Sequence, residues 1–78
     1  MILIYTTNQC PYCTVAKKYF DKHGISYREL NVENDEEALA DMIRKTGQMS
    51  VPVIEINGSM VIGFDRGHID DLLGIIVE

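Results

Sequence analysis

The chain has no tryptophan, only two cysteines and two prolines, and no run of basic residues. Each shortage excludes something. With a net charge of −5, four Tyr and two Phe, little is on offer to neutralise phosphates or stack bases. No nucleic-acid partner is expected. No apolar run approaches the roughly 18 residues of a membrane span. The start, Met1-Ile2-Leu3-Ile4-Tyr5, lacks the basic opening and long apolar core of a signal peptide. The expectation is therefore a cytoplasmic protein with no membrane contact. Two cysteines cannot make a disulfide framework, and a pair three residues apart closes too short a loop to staple a fold. A domain of 78 residues buries only about 60% of its unfolded surface. It must stand on packing, for which 46% hydrophobic residues is an ordinary share. One domain over residues 1–78, and a monomer, are expected.

What is present is a regular alternation of strand and helix patterns. Ile2 to Thr6 is apolar without alternation, which suits a central strand covered on both faces. Cys10 stands at an N-cap with Pro11 at the first helical position, where a missing N–H costs nothing. Cys13, Ala16, Phe20 and His23 keep helical spacing, widened by Val15 and Tyr19. Helix one is expected over 11–23, ending at Gly24. A second strand is expected over 25–32, with Tyr27, Leu30 and Val32 buried and Arg28 and Glu29 suiting an edge. Asn34 or Asp35 caps a second helix over 35–46, with apolar Ala38, Leu39, Met42 and Ile43, and Gly47 as its stop. Val53–Ile56 and Ser59–Ile62 flank Asn57-Gly58, a strong hairpin signal. Asp65 can cap a short helix over 66–73 before Gly74. The conformation of Ile75, Ile76 and Val77 is not specified by pattern. The fold class is α/β: a four-stranded mixed sheet in the order βαβαββα, with three helices on both faces.

The chemistry centres on Cys10-Pro11-Tyr12-Cys13. A Cys-x-x-Cys pair at a strand-to-helix junction of a small chain reads as a redox dithiol. In a reducing compartment such a pair is catalytic or metal-binding rather than structural. Two cysteines could give zinc or an iron–sulfur cluster half a ligand set. No second pair follows, and His23 and His68 lack ligand spacing, so no metal site is expected. A sulfur at a helix start can accept the N–H groups of Tyr12 and Cys13 and feels the positive end of the dipole. Both favour the thiolate that exchange requires. Cys10 is therefore expected to be the exposed nucleophile and Cys13 the shielded, resolving thiol. Lys17 lies a turn further on, too far to help much. Met42, Met49 and Met60 read as core or rim filler.

Tyr5-Thr6-Thr7-Asn8-Gln9-Cys10-Pro11-Tyr12-Cys13, then Ser50-Val51-Pro52, then Gly63-Phe64-Asp65, resemble the glutaredoxin family over nearly the whole chain. The resemblance implies a thioredoxin-like fold and thiol–disulfide exchange on protein disulfides or glutathione mixed disulfides. It implies no permanently bound cofactor, with glutathione as co-substrate. It also implies that Tyr12 packs beside glutathione and that the Val51–Pro52 bond is cis. Val51 would then pair with the tripeptide as a short strand. Gln48 would reach the glycine carboxylate, and Gly63 and Asp65 would receive the γ-glutamyl end. Three residues depart from the pattern. Thr7 stands where many members have lysine, Ile62 where many have glycine, and Arg66 where many have an acid. These lower the expected affinity for glutathione. A related group, the glutaredoxin-like redoxins, shares the layout. It implies the alternative partners: thioredoxin reductase as electron source and ribonucleotide reductase as acceptor.

Overall fold

The computed structural model describes residues 2–74. The elements are β1 (Ile2–Thr6), α1 (Pro11–Lys22), β2 (Arg28–Asn31), α2 (Glu36–Thr46), β3 (Val53–Ile56), β4 (Ser59–Ile62) and α3 (Arg66–Leu73). Ile75, Ile76 and Val77, left open by pattern, lie outside the described residues. The strand order is β2-β1-β3-β4. β1 and β2 are parallel, as a strand–helix–strand crossover requires, and the other pairs are antiparallel. The mixed α/β sheet expected from the sequence is thus the observed one.

Period-two side-chain alternation divides the core into two layers. Ile2, Ile4, Ile54, Ile56 and Val61 face Ala16 and Phe20 of α1 and Ile69 of α3. Tyr5 and Val53 face Ala38 and Met42 of α2. Helices therefore cover both faces, and β1 is covered on each, which is why its sequence does not alternate. Asp35 caps α2 by accepting the Ala38 N–H at 3.1 Å. Gly47 then stops it at φ 70°. At that φ a side chain would clash with the backbone. Asn57 (φ 50°) and Gly58 (φ 94°) supply the two positive φ values of the turn that matches strand twist.

Several expectations need correction. α1 ends at Lys22, with His23 as its C-cap; His23 is exposed and meets the Tyr19 ring at 4.5 Å. Val15 is exposed rather than part of the buried stripe. β2 runs over Arg28–Asn31 rather than 25–32. The Ile25 N–H is taken by the Phe20 carbonyl at 2.9 Å, which ties that residue to the end of α1 before pairing with β1 can begin. Tyr27 and Leu30 are only partly buried: Tyr27 packs on the α1–α3 layer and Leu30 on the α2 layer, and of the three only Val32 is buried. Finally, Ile43 is 38% exposed, outside the buried face of α2. Among the described residues, no helix is long and apolar enough to cross a membrane.

Candidate active site

The sheet topology gathers the chemistry at one end. Parallel β1 and β2 finish side by side, with Thr6 opposite Asn31. β3 starts where β1 finishes, with Val53 opposite Tyr5. β4 finishes there too, with Ile62 opposite Val53. The loops holding Cys10, Gln48, Val51, Pro52, Gly63 and Asp65 therefore all emerge at this end, as does the first turn of α1 with Tyr12 and Cys13.

Cys10 and Cys13 are joined in a disulfide, with Cα atoms 5.2 Å apart. Cys10 is the N-cap of α1, in extended backbone, with Pro11 next to it. Its Sγ accepts the Cys13 N–H at 3.1 Å, and its carbonyl accepts the Thr14 N–H at 3.2 Å. Of the two N–H groups expected at the sulfur, only that of Cys13 donates to it. Cys10 is half-buried rather than freely exposed. Cys13 is 2% exposed, on the core face of the helix. Tyr12, between them, is 66% exposed.

The Val51–Pro52 peptide is cis. Pro52 is buried, and its carbonyl accepts the Gly63 N–H at 2.8 Å, linking the two loops. Among the described residues neither the N–H nor the C=O of Val51 has a hydrogen-bond partner. Asp65 caps α3, accepting the His68 N–H at 3.2 Å. Gln48 is folded back on its own loop. Its Oε1 accepts the Ser50 N–H at 2.6 Å, and its Nε2 donates to the Ser50 carbonyl and to Thr46 Oγ1, both at 3.3 Å. Arg66 lies 5.3 Å from the Tyr19 ring and 3.8 Å from Asp70. The Tyr19 hydroxyl donates to Asp70. Burial first, and that donation second, push the Tyr19 phenol above its ordinary value.

Two polar clusters at this end have no signature in the sequence. Buried Thr6 donates to Glu29 Oε2 at 2.7 Å, and Lys17 pairs with the same carboxylate at 3.1 Å. The Lys17 charge is thus committed to β2 rather than to the cysteines. The Thr6 hydrogen bond, and then Lys17, hold the Glu29 carboxyl below its ordinary value against the opposing effect of burial. A lowered folded pKa stabilises the fold above the unfolded value of about 4.3. That contribution is lost as pH falls through the lower folded value. We expect the stability difference between parent and Glu29→Gln to be full above about pH 5 and to shrink toward pH 3. Thermal unfolding across that range measures it, and a difference that widens on acidification would refute the assignment. The second cluster joins Asn8 to Asn31, Glu33 and Asn34.

The family model for glutaredoxin matches residues 2–61. A glutaredoxin-like 8.6 kDa protein encoded in the rubredoxin operon of Clostridium pasteurianum is 37% identical, over 94% of this chain and 97% of that one. Glutaredoxin 3 of Escherichia coli K12 is 35% identical, over 90% and 93%. Among solved structures, a variant of a thioredoxin-like protein superposes with a TM-score of 0.90 at 28% identity, covering 96% of each chain. The buckwheat glutaredoxin–glutathione complex superposes at 0.74 with 26% identity, covering 94% of this chain and 69% of that one. The fold is thioredoxin-like. A cysteine pair at a helix start, on this fold and with these relatives, has one reading: the chain belongs to the glutaredoxin family of thiol–disulfide oxidoreductases.

Proposed function

We propose that the protein is a dithiol glutaredoxin that reduces protein disulfides or glutathione mixed disulfides, with glutathione as reductant. The observation that carries this is the Cys10 sulfur at the N-cap of α1, accepting the Cys13 N–H at 3.1 Å. In the reduced protein the same N–H and the helix dipole favour a thiolate there. That thiolate attacks one sulfur of the substrate disulfide; the substrate's S–S bond breaks and the other sulfur leaves as a thiol. The Cys13 thiolate then attacks Cys10 Sγ and releases the second substrate thiol. The disulfide left behind is the one in this structure. Two glutathione molecules return the dithiol and leave as glutathione disulfide.

Docking is supported by the open backbone pair of Val51, which can take an extended peptide as a short antiparallel strand. Exposed Tyr12 offers an apolar wall, and Asp65 offers a carboxylate to an ammonium. The buckwheat complex shows that this fold accommodates glutathione. A second reading has a specific basis. Both ends of the Gln48 amide are occupied, Arg66 is tied to Asp70, and Ile62 is 54% exposed. These leave few groups for the glutathione carboxylates. They favour a glutaredoxin-like redoxin reduced by thioredoxin reductase and donating to ribonucleotide reductase. Steady-state turnover separates the two. Activity with glutathione, glutathione reductase and NADPH is the expected result. Activity confined to thioredoxin reductase and NADPH would establish the redoxin reading instead.

A further inference from the structure

We propose that Glu33 is a positioning residue for the Cys10 sulfur and acts through Asn8. The proposal rests on Cys10 being the attacking thiol. Asn8 lies in the loop between β1 and the N-cap of α1, two residues before Cys10. Its backbone N–H donates to Glu33 Oε1 at 3.0 Å and its side-chain Nδ2 to Oε2 at 2.9 Å. Its Oδ1 accepts from Asn31 Nδ2 at 2.8 Å and from Asn34 Nδ2 at 3.4 Å. Asn31 Oδ1 in turn accepts the Glu33 N–H at 2.9 Å. Both ends of the Asn8 amide and its backbone N–H are thus held by the last residue of β2 and the segment that leads from it to α2.

The loop has little else to hold it. β1 stops at Thr6, and the other hydrogen bond within the loop among the described residues is a long one, from Thr7 Oγ1 to the Gln9 carbonyl at 3.5 Å. The sulfur benefits from the helix start only while it stays over the first turn, because the dipole effect fades within that turn. A clamp two residues upstream fixes where the chain enters the cap. The carboxylate cannot serve as a charge here, since a nearby like charge disfavours a thiolate. Its useful property is the pair of oxygens that fit one backbone and one side-chain donor of the same residue. Geometry and charge therefore act on the thiol in opposite directions, and the sign of the effect separates them.

The test uses the full chain with Cys13→Ser, which leaves one thiol and keeps the Cys13 N–H donor position. The rate of Cys10 alkylation by iodoacetamide is followed against pH, with thermal unfolding on the same samples. With Glu33 and Asn8 intact, the midpoint should lie below the free-cysteine value of about 8.5. Glu33→Ala and Asn8→Ala should each raise it by several tenths of a unit. Glu33→Gln keeps an acceptor for the Asn8 N–H and should stay nearer the parent. A fall in Glu33→Ala shows that only through-space charge acts and overturns the proposal. So do unmoved midpoints in both alanine variants, or a Gln variant displaced as far as the Ala one. A parent midpoint at the free-cysteine value refutes the attacking-thiol reading itself, a distinguishable failure that removes the clamp's purpose with it.

Discussion

Cys10→Ser should abolish exchange with every substrate, whereas Cys13→Ser should keep reaction with glutathione mixed disulfides and lose most reduction of protein disulfides. The asymmetry follows from position. The Cys10 sulfur is at the cap, over the first turn of α1, and is half-buried. A serine hydroxyl there is not ionised at neutral pH and is a far weaker nucleophile than a thiolate. Cys13 is one turn in and 2% exposed, so its sulfur is shielded from an incoming disulfide. It can reach Cys10, because the fold already holds the two Cα atoms 5.2 Å apart. Loss of Cys13 therefore leaves the first attack intact. A second glutathione can resolve a mixed disulfide with glutathione from outside. A mixed disulfide with a protein shields its own sulfur and depends on the internal thiol. Turnover of a glutathionylated small thiol and of a protein disulfide, measured for both variants, gives the result. Retained activity in Cys10→Ser with loss in Cys13→Ser would reverse the assignment.

The parts of this molecule that were legible in the sequence are those fixed by neighbours along the chain. The hairpin at Asn57-Gly58, the caps at Asp35 and Asp65 and the stops at Gly47 and Gly74 each depend on backbone angles within a few residues. All are found where the sequence places them, the α2 cap falling on Asp35 of the two candidates Asn34 and Asp35. The cysteine pair was legible for the same reason, since one turn of helix sets the spacing. β2 starts later than its pattern suggests because apolar Ile25 and Tyr27 look like strand residues. Their apolar surface belongs to the α1 layer, where Tyr27 meets the Phe20 ring at 5.8 Å. Contacts between distant polar residues were not legible at all. Thr6 and Glu29, or Asn8 and Glu33, are 23 and 25 positions apart. Nothing in their identities marks them as partners until the β1–β2 register brings them together. Gln48 shows the converse. Its position in the loop before β3 was readable, but its engagement with Ser50 and Thr46 depends on how that loop folds back on itself.

Phe20→Ala is expected to be the most damaging single change to the fold. Phe20 is fully buried in the layer between the sheet and α1 and α3. Its ring meets Tyr19 edge-on at 6.2 Å and Tyr27 at 5.8 Å, contacts that add to simple burial. Its backbone carbonyl also holds the Ile25 N–H, so the residue anchors both the end of α1 and the chain leading to β2. Truncating a buried Phe to Ala costs about 3–5 kcal/mol, part lost transfer energy and part cavity. A domain of this size has only about 4–12 kcal/mol in total. The variant should lose about a quarter of its stability or more, with Tm falling by tens of degrees. Phe20→Leu, which refills most of the space, should lose far less. Urea unfolding followed by circular dichroism measures both, and a loss below about 1 kcal/mol for Phe20→Ala would mean the core collapses onto the gap. The consequence for chemistry follows from α1 being shared. The helix that Phe20 fixes to the sheet is the one that carries Cys10 and Cys13 at its start. Exchange by the folded variant should therefore persist at low temperature and disappear at the lowered Tm, whereas Cys10→Ser is inactive at every temperature while its fold stays intact.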